Sequence, residues 1–313
     1  MRTFLVTGGA GFVGSHIVEA LLARGDRVRI LDDFSTGHRS NIPAHEAVEV
    51  IEGTLLDAAA LERAVQGVDC IFHEAALASV PRSIEKPLDT HAACVTGTVM
   101  LLAAAQKAAV RRLVYAASSS AYGDKATSSK RETDLPGPLS PYAAAKLAGE
   151  FYCQAFASSF GIETVALRYF NVFGPRQDPN SPYSAVIPLF VTALLAGRQP
   201  VIYGDGRQSR DFTYVANVVH GNLLAADANN VSGQVFNVAN GRSTSLLELI
   251  ALLNKYLGTR VEPVFQLPRT GDVRESLADI SAARRGLGYE AQVDFEEGLQ
   301  KTVAFYRKAV ARK

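Results

Sequence analysis

The sequence predicts an α/β protein: a doubly wound parallel sheet with helices on both faces, followed by a smaller C-terminal α/β domain. Three observations lead there. Apolar periodicity alternates between strand and helix through the first half of the chain. The turns between these segments are short, which implies one parallel sheet joined by helical crossovers. After Arg168 the rhythm loosens into shorter elements.

Arg2–Thr7 reads as a short buried strand. Phe12–Arg24 has helical spacing, with Phe12, Val13, Ile17, Leu21 and Leu22 on or near one side. Further strands are expected at Arg27–Leu31, Val48–Ile51, Cys70–Phe72, Leu113–Ala117 and Thr164–Leu167. Helices fill the intervals at Ala58–Gln66, from about Leu88 to Ala109, and at Tyr142–Phe160. Phe173–Tyr183 is polar and proline-bearing, a long loop of the kind that is functional or disordered. Helices are expected again at Leu246–Leu257 and Glu296–Ala311. The division is therefore 1–170, with a returning segment around 207–240, and 171–313 as a substrate-binding domain over the strand ends.

Composition narrows the function class. Hydrophobic residues make up 48% and charged residues 20% of the 313 residues, ordinary for a soluble enzyme with a sizeable core. With 32 basic and 31 acidic residues the net charge is +1, and a nucleic-acid or anionic-membrane partner would call for a basic excess. No run approaches the ~18 apolar residues of a membrane span. The opening MRTFLVTGG reads as a strand, not as a signal peptide. Cys70, Cys94 and Cys153 are widely spaced and odd in number, which suits a reducing cytoplasm and forms no metal pattern. The histidines lack a His-x-x-x-His pair, so no metal site is expected.

Gly8-x-x-Gly11-x-x-Gly14 directly follows the first strand and opens the first helix. Glycines there permit a tight turn and a close approach by a pyrophosphate to the helix N-terminus, where Phe12 and Val13 carry free N–H groups. The second strand ends at Asp32, at the distance expected of a carboxylate that accepts hydrogen bonds from the adenosine ribose. It would repel a 2′-phosphate, so NAD is favoured over NADP. Asp57 either approaches the adenine or caps the helix that starts at Ala58, and the two roles are compatible.

Tyr142 and Lys146 stand four apart on a helix, so their polar heads share one face. A tyrosine base must lose a proton, and a nearby ammonium together with a positive nicotinamide would lower its pKa. Ser118-Ser119-Ser120 follows the fifth strand at its C-terminal end, where ligands bind in such sheets. Serine at a strand end and Tyr-x-x-x-Lys on the next helix make a proton-transfer constellation.

The combination of Thr7–Gly14, Asp32, Ser118, Tyr142 and Lys146 resembles the extended short-chain dehydrogenase/reductase family, with its Rossmann cofactor domain. The resemblance covers essentially the whole chain. His73-Glu-Ala-Ala and Ser79-Val-Pro-Arg-Ser resemble the loop after strand four in nucleotide-sugar epimerases. Leu167-Arg-Tyr-Phe-Asn171-Val-Phe-Gly-Pro resembles their entry to the substrate domain, and Arg210-Asp-Phe and Arg269-Thr-Gly-Asp272 their diphosphate contacts. Ser118–Gly123-Asp and Asn171–Asp178 are similar to bacterial UDP-N-acetylglucosamine and UDP-glucose 4-epimerases.

The resemblance implies a bound, recycled NAD⁺. Tyr142 would take the proton of the sugar 4-hydroxyl, Ser118 would hydrogen-bond that hydroxyl, and Lys146 would tune Tyr142 and hold the nicotinamide ribose. A 4-keto sugar would turn over and be reduced on its other face. Related 4,6-dehydratases carry an Asp-Glu pair and related decarboxylases a glutamate in this turn, where this chain has Ser119, Ser120 and Ala121. By the same analogy Ala78 and Ser276 line the sugar pocket, and their small size leaves room for an N-acetyl group without excluding UDP-glucose. UDP is implied by similarity around Asn171, Arg210 and Arg269. UDP-glucuronate epimerisation or another NAD-dependent nucleotide-sugar oxidation remains an alternative. A non-enzymatic NAD sensor would be expected to lose the tyrosine or lysine, and both stand. The alanine-rich helices at Leu88–Ala109 and Tyr142–Phe160 correspond to those that pair as a four-helix bundle in family homodimers.

Overall fold

The computed structural model describes residues 1–124, 129–179, 185–268 and 274–311. Six strands come from the first half: β1 (Thr3–Thr7), β2 (Arg27–Asp32), β3 (Val48–Glu52), β4 (Cys70–His73), β5 (Arg112–Ser118) and β6 (Glu163–Tyr169). They lie side by side in the order β3-β2-β1-β4-β5-β6, and the strand Gln234–Val238 adds to β6 as the seventh; every pairing is parallel. Chain order reverses between β1 and β4, so a crevice opens at the C-terminal ends of these two strands.

Successive strand residues point to opposite faces, and here both faces are covered. Phe4, Val6, Phe72, Val114, Val165 and Leu167 pack on one side against the helices Phe12–Ala23 and Val215–Asp227. Leu5, Ile71, Leu113, Tyr115 and Ala166 pack on the other, against Leu61, Leu101, Leu102 and Cys153 of the helices there. That double burial is why the strands read as continuous apolar runs.

The helix Pro141–Phe160 has local reasons for both ends. The Ser140 side chain accepts from Ala143 N at 3.2 Å, Pro141 occupies the first turn, and Gly161 ends it at φ +72°. The helical run Pro87–Lys107 contains a π-turn at Ala92–Thr96. By length and composition this run could cross a membrane; here Cys94, Val95, Leu101, Leu102 and Ala105 are buried in the core. Ser79-Val-Pro-Arg-Ser, expected as loop, belongs to the short helix Val80–Glu85, which Ser79 caps by accepting from Arg82 N at 3.1 Å.

Beyond β6 the chain pairs Val172–Phe173 with Thr213–Tyr214. The expected loop at Phe173–Tyr183 is irregular from Gly174 onward, and residues 180–184 lie outside the described residues. The strand Ser209–Asp211 lies between Ser243–Ser245 and Glu275–Ser276, in a separate small sheet. Phe190, Phe212, Leu249, Leu253, Phe295 and Leu299 form the core of this second lobe.

Candidate active site

The glycine turn closes on itself. Gly11 N donates to the Gly8 carbonyl at 3.0 Å and Gly8 N to the Leu31 carbonyl at 2.8 Å. Gly8 sits at φ +68°, and a Cβ there would lie 2.8 Å from Ala75 N; a Cβ on Gly14 would run into the Gly8 carbonyl oxygen. The helix Phe12–Ala23 begins with no side chain bonded to its first N–H groups, so they stay available to an anion. Asp32 Oδ2 accepts from Ala10 N at 2.9 Å and Oδ1 from Phe34 N at 2.8 Å. Burial pushes its carboxyl up, opposed by these two N–H groups. Each oxygen keeps a lone pair for a ribose hydroxyl. An uncapped helix start beside a carboxylate fits the diphosphate and ribose of NAD. Asp57 is exposed and caps the helix Ala58–Val65, accepting from Ala59 N at 2.9 Å and Ala60 N at 3.1 Å.

Ser118 ends β5, and Tyr142 and Lys146 project from the first turns of the helix Pro141–Phe160. Ser120 Oγ donates to Ser118 Oγ at 2.8 Å, and Ser118 holds the Tyr142 phenol's pKa down against burial. The serine missing from the expected set is thus Ser120, whose hydroxyl reaches Ser118; its place two residues after a strand-end serine was the available signal. Lys146 is buried, and Nζ donates to the Ala116 carbonyl at 2.7 Å. Burial pushes its ammonium down. Sequence reasoning expected Lys146 to lower the Tyr142 pKa. Here burial pushes the phenol up, with Ser118 opposing it, and Lys146 turns its ammonium to the Ala116 carbonyl.

His73 joins the glycine turn to the helical run Pro87–Lys107. Thr98 Oγ1 donates to the Cys94 carbonyl at 2.7 Å, so it accepts from His73 Nε2 at 2.9 Å. His73 Nδ1 then accepts from Thr7 Oγ1 at 2.8 Å, and Thr7 Oγ1 accepts from Ala75 N at 3.3 Å. The next residue, Glu74, takes the Tyr169 hydroxyl at 2.8 Å on Oε1. Sequence reasoning quoted Glu74 within a motif and assigned it nothing, because its partner is 95 residues away.

Three expected substrate residues come together in the second lobe. Asn171 has φ +32° and donates from Nδ2 to the Asp211 carbonyl at 3.4 Å. Arg210 precedes Asp211, and Ser276 is its register partner on the neighbouring strand. Asp211 holds this corner: it accepts from Asn240 N at 2.9 Å, Gly241 N at 3.0 Å and Ala278 N at 3.3 Å, while burial pushes its carboxyl up to about 7. Ser119 begins the 3₁₀ turn after β5. Ala78 is exposed between β4 and the helix Val80–Glu85. Arg269 and Asp272 lie outside the described residues.

Residues 4–239 match the model of the NAD dependent epimerase/dehydratase family. The chain is 41% identical over 313 residues to a UDP-glucose 4-epimerase of Mycolicibacterium smegmatis, covering 98% of this chain and 99% of that one. Among solved structures, a UDP-N-acetylglucosamine 4-epimerase from Methanobrevibacter ruminantium, in complex with UDP-N-acetylmuramic acid, superposes with a TM-score of 0.95 at 41% identity. A UDP-glucose 4-epimerase from Thermotoga maritima with UDP-glucose superposes with a TM-score of 0.94 at 38% identity. Each covers 98% of this chain and 99% of its own. A seven-stranded parallel sheet with the glycine turn at its reversal point, and a match to the family's model over most of the chain, make this protein a member of the NAD-dependent epimerase/dehydratase family.

Proposed function

We propose that the protein is an NAD-dependent UDP-sugar 4-epimerase, acting on UDP-GlcNAc/UDP-GalNAc and on UDP-Glc/UDP-Gal. The observation that carries the reading is Ser118 at the end of β5, held by Ser120, with Tyr142 and Lys146 one turn apart at the start of the next helix. When bound, NAD⁺ supplies a hydride acceptor for sugar carbon 4 and, once reduced, the donor that returns it. The Tyr142 phenolate takes the proton of the 4-hydroxyl as that hydride leaves, and a 4-keto sugar results. Ser118 donates toward the same oxygen, and Ser120 holds the Ser118 side chain. Rotation of the keto sugar exposes its other face, and Tyr142 gives the proton back to the 4-oxygen. The turn Ser119–Tyr122 carries no carboxylate, which favours epimerisation over elimination.

Gly8, Gly11, Gly14 and the N–H groups of Phe12 and Val13 would hold the diphosphate, and Asp32 the adenosine ribose. The cofactor lobe comprises 1–170 with the returning helix Val215–Asp227 and strand Gln234–Val238. The remaining residues of 171–313 form the nucleotide-sugar lobe, with Asn171, Arg210, Arg269 and Asp272 on the UDP. Ser276 beside Arg210 leaves space at sugar carbon 2, and the similarity to both kinds of epimerase supports a dual preference.

The reading includes a homodimer. Ile84, Leu88, Phe151 and Tyr152 expose large apolar surface on neighbouring helices, which a second copy would cover. It also includes a cytoplasmic location, which the three free, buried cysteines fit.

The test is incubation of the purified protein, without added cofactor, with UDP-GlcNAc, UDP-glucose and UDP-glucuronic acid in separate tubes, followed by proton NMR. A galacto-configured product from UDP-GlcNAc or UDP-glucose is expected. No epimer from any of the three, with NAD⁺ supplied, would sink the reading; product from UDP-glucuronic acid alone would replace its sugar.

A further inference from the structure

We propose that Asn237 is a positioning residue that locks the turn carrying Ser118 to the segment carrying Ser276, so that the proton-transfer end and the sugar end of the site keep one spacing. Its catalytic meaning rests on the epimerase reading. The junction itself stands on hydrogen bonds between segments far apart in the sequence.

Asn237 lies in the strand Gln234–Val238 at the edge of the seven-stranded sheet and is fully buried. Its Nδ2 donates to the Lys130 carbonyl and to the Asp279 carbonyl, both at 3.0 Å. Carbonyls only accept, so these two bonds fix which way the amide points. Its Oδ1 then accepts from the Tyr122 hydroxyl at 2.6 Å. The Asn237 backbone N–H donates to Glu132 Oε1 at 2.7 Å. The segments it touches also hold each other. Lys130 N donates to the Leu277 carbonyl at 2.8 Å and Asp279 N to the Lys130 carbonyl at 2.9 Å, while Arg131 Nε meets Asp279 Oδ2 at 3.0 Å.

One end of this junction is the proton-transfer turn. Tyr122 closes the turn Ser119–Tyr122, and Ser118 caps it, accepting from Ser120 N at 3.2 Å and from Ser120 Oγ at 2.8 Å. The Tyr122 ring is held separately, under the Arg168 guanidinium at 4.6 Å and beside Phe170. The other end is the sugar corner. Ser276 is the register partner of Arg210, and Ala278 N donates to Asp211 Oδ2 at 3.3 Å. A single buried amide therefore stands between Ser118 and the Arg210–Ser276 corner. Epimerisation needs that span to be constant. The nucleotide stays held while the keto sugar turns over, so sugar carbon 4 must meet Ser118 and Tyr142 in both orientations. A misplacement of about 1 Å costs on the order of 10² in rate.

The test is hydrogen–deuterium exchange of the NAD-loaded full-length protein, read by mass spectrometry beside steady-state kinetics and calorimetric binding of UDP. Tyr122→Phe keeps the ring and removes only the hydroxyl that holds the amide oxygen. It is expected to speed exchange at Lys130–Glu132 and Leu277–Ser281 by roughly tenfold, while β1 keeps its native protection. Asn237→Asp keeps the shape but turns a carboxylate toward two carbonyls, and is expected to act in the same way more strongly. In both variants kcat is expected to fall by about tenfold or more, with UDP affinity held because Asp211 still ties its corner. Native exchange at Leu277–Ser281 in Tyr122→Phe overturns the proposal, whether or not Asn237→Asp folds. Faster exchange throughout, β1 included, also overturns it, because the hydroxyl would then support the fold as a whole. An unchanged kcat beside faster local exchange overturns the positioning role. The exchange measurement needs no turnover: a loosened junction in a protein whose native form makes no epimer would sink the epimerase reading and leave the junction intact.

Discussion

Arg176 and Glu19 face each other in a two-pronged ion pair, with Nη1–Oε1 and Nη2–Oε2 both at 2.7 Å. Arg176 Nη2 also donates to His16 Nδ1 at 2.7 Å, and His16 Nε2 lies 3.0 Å from the Pro175 carbonyl. A guanidinium only donates and a carbonyl only accepts, so these bonds select the neutral imidazole with its proton on Nε2. The cluster ties the loop after Phe173 to the helix that opens at the glycine turn. Arg176 does this at φ +68°. The pair is partly exposed, and its loss costs about 1 kcal/mol or less. Alanine would keep the left-handed strain of roughly 1–2 kcal/mol, which glycine relieves. Arg176→Gly is therefore expected to be more stable than Arg176→Ala by about 1 kcal/mol in urea unfolding. Equal stabilities would mean that the backbone relaxes out of this conformation once the side chain is gone.

Tyr142→Phe keeps the ring and removes the proton acceptor. Turnover is expected to fall by about 10²–10⁴, with the bound NAD content unchanged. Ser118→Ala removes the hydroxyl that holds the phenol's pKa down and is expected to cost about tenfold or more in kcat. Single-turnover measurements separate these losses from product release; full activity in Tyr142→Phe would remove the tyrosine from the chemistry.

Gly14→Ala places a methyl group against the Gly8 carbonyl, which is backbone and cannot swing aside. The glycine turn must open, and with it the helix start that would receive the diphosphate. The variant is expected to lose its NAD on gel filtration while keeping native helix content by circular dichroism. NAD retained at the native level would show that the turn tolerates the displacement.

His73 predicts an acid-side loss of stability. Burial pushes its pKa from 6.5 down to about 3, so the unfolded chain takes up a proton that the folded chain refuses. A depressed histidine leaves stability intact above the unfolded value and erodes it as pH falls from about 6.5 toward 3. The full loss is roughly 5 kcal/mol. Denaturant unfolding from pH 8 to pH 4 reads roughly 3 kcal/mol of it. His73→Gln, which lacks the titrating ring, is expected to flatten the slope even though its stability at pH 8 is lower. A native-like slope in that variant would assign the acid loss to other groups.

Much of the cofactor half was legible because its signals are local. Glycines at Gly8, Gly11 and Gly14 are demanded by one turn, Asp32 ends the next strand, and the helix Tyr142–Phe160 is read from its own period after Pro141. The segment around 207–240 was expected to return to this domain, but the strand Gln234–Val238 within it was not read, because its pairing with β6 is a contact between distant parts of the chain. The same limit hid Glu74.

The sequence by itself determined the fold class, the glycine turn and the placing of Ser118 at a strand end and of Tyr142 and Lys146 one turn apart on a helix, because residues a few positions apart on one strand, turn or helix have fixed relative directions. Only the tertiary structure decided where Lys146 sends its ammonium, that Ser120 holds Ser118, that His73 is buried between Thr7 and Thr98, and that Tyr169 reaches across β5 to Glu74. Those are matters of burial and of hydrogen-bond direction between elements, which no local spacing encodes.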